Sequence, residues 1–275
     1  MEKLQRNERL AAMLKIMIDA PGKIFNLGSF SDMLGSAKSS LSEDMDILRG
    51  TLEKFGLGTI ETIPGASGGV RYLSLPGEEK VKTLLNTLSS ELSRKERILP
   101  GGFLYMLDII YDPQMVSDLG MVFAEHFLHT EADYVITVET KGIPLAFMTA
   151  RYLNTPLVIV RHYNEAADGA SVNINYISGS SKTIQTMVLP LRSLKRNSRL
   201  LFIDDFMKGG GTTRGILELA HEFECEVAGI GVLIQTLKPE KKLVDNYFSI
   251  LTLKNVNEEE KIIEIEPTGR NREIK

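Results

Sequence analysis

A chain of 275 residues has room for one large domain and a small one. With 43% hydrophobic and 25% charged residues it reads as an ordinary soluble protein, and a net charge of −4 argues against a generally basic nucleic-acid binder, so any DNA contact must be local. The single cysteine, Cys225, excludes an internal disulfide framework; with no signal-like apolar core at the N-terminus and no run near the ~20 apolar residues that span a bilayer, a cytoplasmic location is expected.

Residues 1–75 read as a compact helical unit closed by a hairpin. Leu10, Met13, Leu14, Met17 and Ile18 recur at helical spacing, giving an amphipathic helix ended by Pro21 and Gly22. A short second helix is expected around Phe30–Leu34, and Gly35-Ser36 turns the chain into a longer third one. Ala37, Leu41, Met45, Leu48, Leu52 and Phe55 share one stripe of that helix and leave Ser39, Ser42, Glu43 and Asp46 opposite, with Lys38 and Ser40 flanking the stripe at its start. Two helices joined by a tight turn, the second opening with small hydrogen-bonding residues and a lysine, match a helix-turn-helix reader. Gly58–Ile63 and Gly69–Leu75 then alternate about Pro64-Gly65-Ala66-Ser67-Gly68, a hairpin carrying Arg71, which makes the unit a winged helix. Candidate DNA contacts are Lys38, Ser39, Ser40, Ser42 and Arg71, with Lys3, Arg6 and Arg9 as a basic arm in front. Nine Lys/Arg against nine Asp/Glu leave the unit neutral, so charge does not separate this reading from a small regulatory or dimerisation domain whose serines merely cap helices.

Pro76-Gly77 punctuates the chain, and Val81, Leu84, Leu85, Leu88 and Leu92 stripe a charged connecting helix within 76–100. That stripe fits either its own domain or a second subunit. From about residue 101 strand and helix alternate, the sign of a parallel α/β sheet. A helix around Val116–His129 leads to strand Tyr134–Val138, the loop Glu139-Thr140-Lys141-Gly142, a helix over Leu145–Leu153 and strand Leu157–Val160, which ends at Arg161. A glycine and a cation in that loop are a weak phosphate signal taken alone. Ser171–Ile177 and Thr183–Leu189 interrupt the rhythm as a long polar hairpin, an excursion that on such scaffolds usually covers a ligand. The four histidines show no metal-ligand spacing with one another.

The strongest signal is Arg199–Gly215. Leu200, Leu201, Phe202 and Ile203 form an apolar run expected of a strand buried on both faces; Asp204 and Asp205 follow, then Gly209, Gly210, Gly211, Thr212 and Thr213 ahead of an apolar helix. Strand, glycine turn and helix start make a phosphate site, because backbone N–H groups, the helix N-terminus and threonine hydroxyls all favour an anion. The two acids would repel a phosphate, so they are expected to serve sugar hydroxyls or a bridging magnesium ion, which points to a ribose 5-phosphate derivative. Neither the P-loop nor the dinucleotide fingerprint fits, since Arg214 stands where the latter needs its last glycine. A plain strand-to-helix turn with capping acids needs neither the acid pair nor three glycines. After it, Val227–Ile234, Ile250–Leu253 and Lys261–Ile265 complete the sheet, and Thr268–Lys275 is a polar end.

Ile203-Asp204-Asp205-Phe206-Met207-Lys208-Gly209-Gly210-Gly211-Thr212 resembles the phosphoribosyl pyrophosphate (PRPP) motif of type I phosphoribosyltransferases. The resemblance implies that the acids hold the ribose hydroxyls, that Lys208 through Thr213 hold the 5-phosphate, and that Thr140, Lys141 and Gly142, joined by Arg161, hold the pyrophosphate. Phe206 and Tyr105 are expected beside a base, where a guanine nucleotide would compete, and Mg2+ is left open as a companion ion. The departure is Lys208-Gly209, where the enzymes usually carry Ala or Thr, or an Asp serving as base. A winged helix fused to such a domain resembles the purine operon repressors of Gram-positive bacteria, through Ser-Ala-Lys-Ser-Ser-Leu-Ser-Glu-Asp at 36–44, Pro-Gly-Ala-Ser-Gly-Gly-Val at 64–70, Glu-Arg-Ile-Leu-Pro-Gly-Gly at 96–102, Lys-Gly-Ile-Pro-Leu-Ala at 141–146 and Asp-Asp-Phe-Met-Lys at 204–208. The expected α/β architecture is a winged-helix DNA-binding domain at 1–75, a connecting helix at 76–100 and a phosphoribosyltransferase-like effector domain with a parallel sheet at 101–275. The implied function is a homodimeric repressor of purine-biosynthesis genes that PRPP releases from duplex DNA, with no catalytic role. The rivals are a working purine phosphoribosyltransferase with an accessory domain, and a pyrophosphokinase-like or nucleotide-storage protein without DNA contact.

Overall fold

The computed structural model describes residues 4–163, 169–177 and 183–269. The N-terminal unit is helix α1 (Arg6–Asp19), α2 (Leu27–Leu34), α3 (Lys38–Lys54) and the antiparallel hairpin β1 (Thr59–Ile63) and β2 (Gly69–Leu73). Helix α2 starts three residues before the expected Phe30, because the Asn26 side chain accepts the Gly28 N–H at 2.6 Å and caps it there. Gly35 ends it in the left-handed conformation at φ 59°. One core joins the three helices to the hairpin through Met13, Met17, Phe30, Leu34, Leu41, Met45, Leu48, Leu52, Ile60, Val70 and Tyr72. The stripe expected on α3 is shorter than its sequence pattern: Ala37 is the exposed N-cap, and Phe55, at the other end, is 65% exposed.

Helix α4 (Glu78–Leu92) packs on its own chain. Val81, Leu88 and Leu92 are buried in the same cluster as strands β11 (Phe248–Asn257) and β12 (Ile262–Pro267), so this stripe is not an exposed dimerisation face. A short pair, β3 (Ile98–Leu99) with β4 (Phe103–Leu104), and helix α5 (Leu107–Ile110) lead to α6 (Pro113–His126). The last starts and stops three residues before the sequence reading, since Asp112 accepts the Met115 N–H at 2.6 Å and Pro113 occupies the first helical position.

Six strands form the main sheet in the order β12-β11-β10-β9-β5-β6, with β5 (Tyr134–Val138), β6 (Leu157–Val160), β9 (Arg199–Met207), β10 (Glu226–Thr236) and β11 parallel and β12 antiparallel at the edge. Between β6 and β9 lies the separate hairpin β7 (Ser171–Ile177) and β8 (Ile184–Pro190). Helix α7 (Ile143–Leu153) covers one face and α8 (Gly211–Glu222) the other. Along β9, Leu201 and Ile203 enter the cluster with α4, α6 and α7, while Leu200 and Phe202 enter the one with α8 and the hairpin. Both faces of this strand are therefore covered, which explains an apolar run without alternation. The hairpin belongs to the body along its length: Tyr176, Met187 and Leu189 are buried against α8 and β9. Among the described residues no helix is long and apolar enough to cross a membrane.

Candidate functional site

β5 and β9 are paired only over Tyr134–Ile136 against Leu200–Phe202. From β5 the chain leads through α7 to β6 on one side, whereas β10 and β11 follow β9 on the other, so a crevice opens at the carboxyl ends where the strand order switches. There the structure holds a cleft of about 750 Å3. Asp204 and Asp205, at the end of β9, face the loop after β5, and the chain from Phe206 to Thr213 forms one wall.

Asp204 is 8% exposed, and its carboxylate accepts the Asp205 N–H at 2.9 Å. Burial, and then the Asp205 charge beside it, push the Asp204 carboxyl well above its ordinary 3.8. Burial also raises Asp205, against the pull of the Asp204 hydrogen bond and the Lys141 ammonium. Two desolvated acids side by side favour a ligand that can donate hydrogen bonds, as vicinal hydroxyls do. Beyond them Gly210 turns the chain at φ 83° into α8, where the Arg214 N–H is accepted by Gly210 O; the amides of Gly211, Thr212 and Thr213 ahead of it are first-turn donors. Tyr176 and Gln185 of the hairpin line the cleft with Thr212, the Tyr176 hydroxyl donating to Gln185 Oε1 at 2.7 Å, so the hairpin supplies part of the wall.

Thr140 and Lys141 line the opposite side. Gly142 stands behind them as the N-cap of α7; a Cβ there would lie 2.6 Å from Thr137 Oγ1 and 2.7 Å from Asp204 Oδ1. Its place in the site is thus the close approach of the two loops rather than contact with a ligand. Arg161 and Tyr105, also expected at the site, are not among the residues lining the cleft. Arg161 is stitched by both backbone groups to Val188 of β8, and Tyr105 is held through its backbone N–H and carbonyl by Arg97. Phe103, 56% exposed, lines the cleft in place of Tyr105. Glu139 and His162 also line it, Glu139 Oε1 accepting the His162 N–H at 2.6 Å. Sequence reasoning named neither as a site residue; Glu139 opens the recognised loop, while His162 carries no local signal. Among the described residues no three His, Cys, Asp or Glu side chains are grouped to hold a metal ion.

The candidate DNA surface is smaller than its sequence pattern. Lys38, Ser39 and Ser42 are exposed at the start of α3 and Ser40 is half-buried. Arg71 is engaged across the hairpin with Glu61, Nε to Oε2 at 2.6 Å. Arg6 and Arg9 do not form a free arm. Both grip Asp44, which is 0% exposed on the buried side of α3, at 2.8 and 2.9 Å, so they tie α1 to α3. Lys3 lies outside the described residues.

Residues 5–74 match the family described as "Bacterial purine repressor, N-terminal", and residues 106–266 match the phosphoribosyl transferase domain family. The Bacillus subtilis purine biosynthesis transcriptional repressor PurR is 47% identical over 264 residues, covering 96% of this chain and 93% of its own. The chain belongs to the PurR family of purine-biosynthesis transcriptional regulators. Regulation in this family runs in both senses by name: the Lactococcus lactis relative, 37% identical over 263 residues with 96% of this chain and 97% of its own covered, is called a transcriptional activator. In fold, adenine phosphoribosyltransferase from Rhodothermus marinus superposes with a TM-score of 0.53 at 20% identity, covering 62% of this chain and 99% of its own.

Proposed function

We propose that this protein is a homodimeric repressor of purine-biosynthesis genes that binds duplex DNA through α3 and its wing and leaves it when PRPP fills the cleft. The observation that carries this reading is the single cleft in which a buried acid pair, a loop of helix-start amides and Lys141 face one another. That set suits a ligand with hydroxyls at its centre and phosphate at both ends. Asp204 and Asp205 hold the ribose, Lys208–Thr213 the 5-phosphate, and Thr140 and Lys141 the pyrophosphate. Phe103 and Phe206 leave an aromatic space beside the sugar in which a guanine nucleotide competes with PRPP. A ligand releases DNA only by binding the DNA-free state better, so PRPP must favour a different arrangement of the two domains. The cleft senses and does not turn its ligand over; Lys208 stands where the transferases usually carry Ala, Thr or a catalytic Asp.

The test is fluorescence anisotropy of a labelled purine-promoter duplex with and without PRPP. Binding that PRPP reverses is expected, and Asp204→Ala is expected to bind the duplex as before but no longer to respond. An Asp204→Ala protein released at wild-type PRPP concentrations would refute the ribose assignment. Turnover of PRPP with a purine base, without selective duplex binding, would establish the transferase instead.

A further inference from the structure

The phosphate loop is held from behind. Lys242 is not among the residues lining the cleft, yet its ammonium donates to Lys208 O at 2.5 Å, to Thr236 O at 2.7 Å and to Thr236 Oγ1 at 3.2 Å. An ammonium has three donors, and here three acceptors take them. Next along, the Leu243 N–H donates to Gly209 O at 2.9 Å. The segment after β10 thus captures both carbonyls that lead into the glycine turn.

The consequence follows from peptide geometry. In a trans peptide plane the carbonyl of one residue and the N–H of the next point in opposite directions. Fixing Lys208 O on Lys242 turns the Gly209 N–H away from that wall, and fixing Gly209 O on Leu243 does the same for the Gly210 N–H. Gly209 and Gly210 line the cleft, so their amides join the first-turn amides of α8 as one concave set of donors. A released Lys208 carbonyl could rotate toward the cleft and set a partial negative charge against an incoming phosphate.

We infer that Lys242 is the positioning residue of the phosphate loop: it sets the loop's amides for an anion that it does not itself touch. The inference rests on the reading of Lys208–Thr213 as the 5-phosphate site. Burial lowers the Lys242 pKa, in keeping with an ammonium kept inside the wall by carbonyls rather than by solvent.

The test uses the full chain, with inorganic phosphate, ribose 5-phosphate and PRPP as probes. In the wild type, inorganic phosphate is expected to shift the Gly209 and Gly210 amide resonances. Lys242→Met is expected to lose these shifts and to bind ribose 5-phosphate and PRPP about tenfold or more weakly, the scale of a charge-assisted hydrogen bond. Its duplex affinity, and the salt dependence of its PRPP affinity, are expected to stay as in the wild type, because Lys242 neutralises no phosphate. Lys242→Arg, which still offers donors to the carbonyls, is expected to restore the shifts, and Lys242→Gln serves where Lys242→Met does not fold. Unchanged ribose 5-phosphate affinity, or weaker PRPP binding with a flattened salt dependence, would overturn the inference. A wild type that shows the phosphate shifts but ignores PRPP removes the sensor reading and leaves the clamp standing; a wild type without shifts removes the clamp.

Discussion

Gly142→Ala probes the cleft proposed to hold PRPP without touching the N-terminal unit. Gly142 has φ −69° and ψ −20°, a conformation any residue adopts, so the substitution introduces no backbone strain. What it introduces is one methyl group 2.7 Å from Asp204 Oδ1, 2.6 Å from Thr137 Oγ1 and 3.3 Å from Asp204 Cα. A relaxed C···O contact is roughly 3.3 Å, so the overlap with each oxygen is about 0.6–0.7 Å. Asp204 cannot simply swing aside, because it is 8% exposed and accepts the Asp205 amide. Overpacking of this kind costs about 1–3 kcal/mol; relief comes by displacing Asp204, the acid proposed to hold the ribose, and restoring it for the ligand should weaken PRPP binding roughly 5- to 150-fold. Calorimetric titration of PRPP measures the loss, and anisotropy on a purine-promoter duplex provides the control. Unchanged PRPP affinity in the folded variant would show that the Asp204 carboxylate is not where the ligand sits.

Asp44→Ala leaves Arg9, whose side chain is only 12% exposed, without its partner. Breaking such a pair costs about 3–5 kcal/mol, so early unfolding of the N-terminal unit is expected in a thermal melt; a melt like that of the wild type would reduce Asp44 to a surface contact. Lys38→Ala is expected to weaken duplex binding and to lower the slope of log K against log salt by about 0.9, the share of one phosphate contact. An unaltered slope would take Lys38 off the backbone. Asp204→Asn tests the buried acids through pH. In the folded chain the Asp204 carboxyl lies well above the unfolded 3.8, so the native state holds the extra proton and wild-type stability falls as pH rises through that window. The variant carries no such charge, and its melting temperature should gain on the wild type as pH climbs from about 4 towards 7. A difference that does not change with pH would mean that the pair is not desolvated.

Much of the fold was legible because its signals are local. The βα rhythm, the hairpin about Pro64–Gly68 and the acid–glycine motif are each written within a few residues, and the observed β1, β2, β5, β6 and β9 lie on those segments. Residue types and spacing alone singled out Asp204–Thr213 as a candidate site, and the structure lines a cleft with these residues. What the tertiary structure decided was which charges have partners and which loops meet. Arg6 and Arg9 look like a basic arm until α3 brings Asp44 between them, 38 and 35 residues away in sequence. Tyr105 and Phe103 are indistinguishable as candidates until Arg97 takes the backbone of the former and the cleft is left to the latter. Lys242 is one surface-type lysine among many until the return from β10 lays it behind the turn that begins at Lys208. Periodicity reports which face of an element is apolar, because burial acts on every turn or every second residue. It carries no record of a single pairing between distant segments, and the site is made of such pairings.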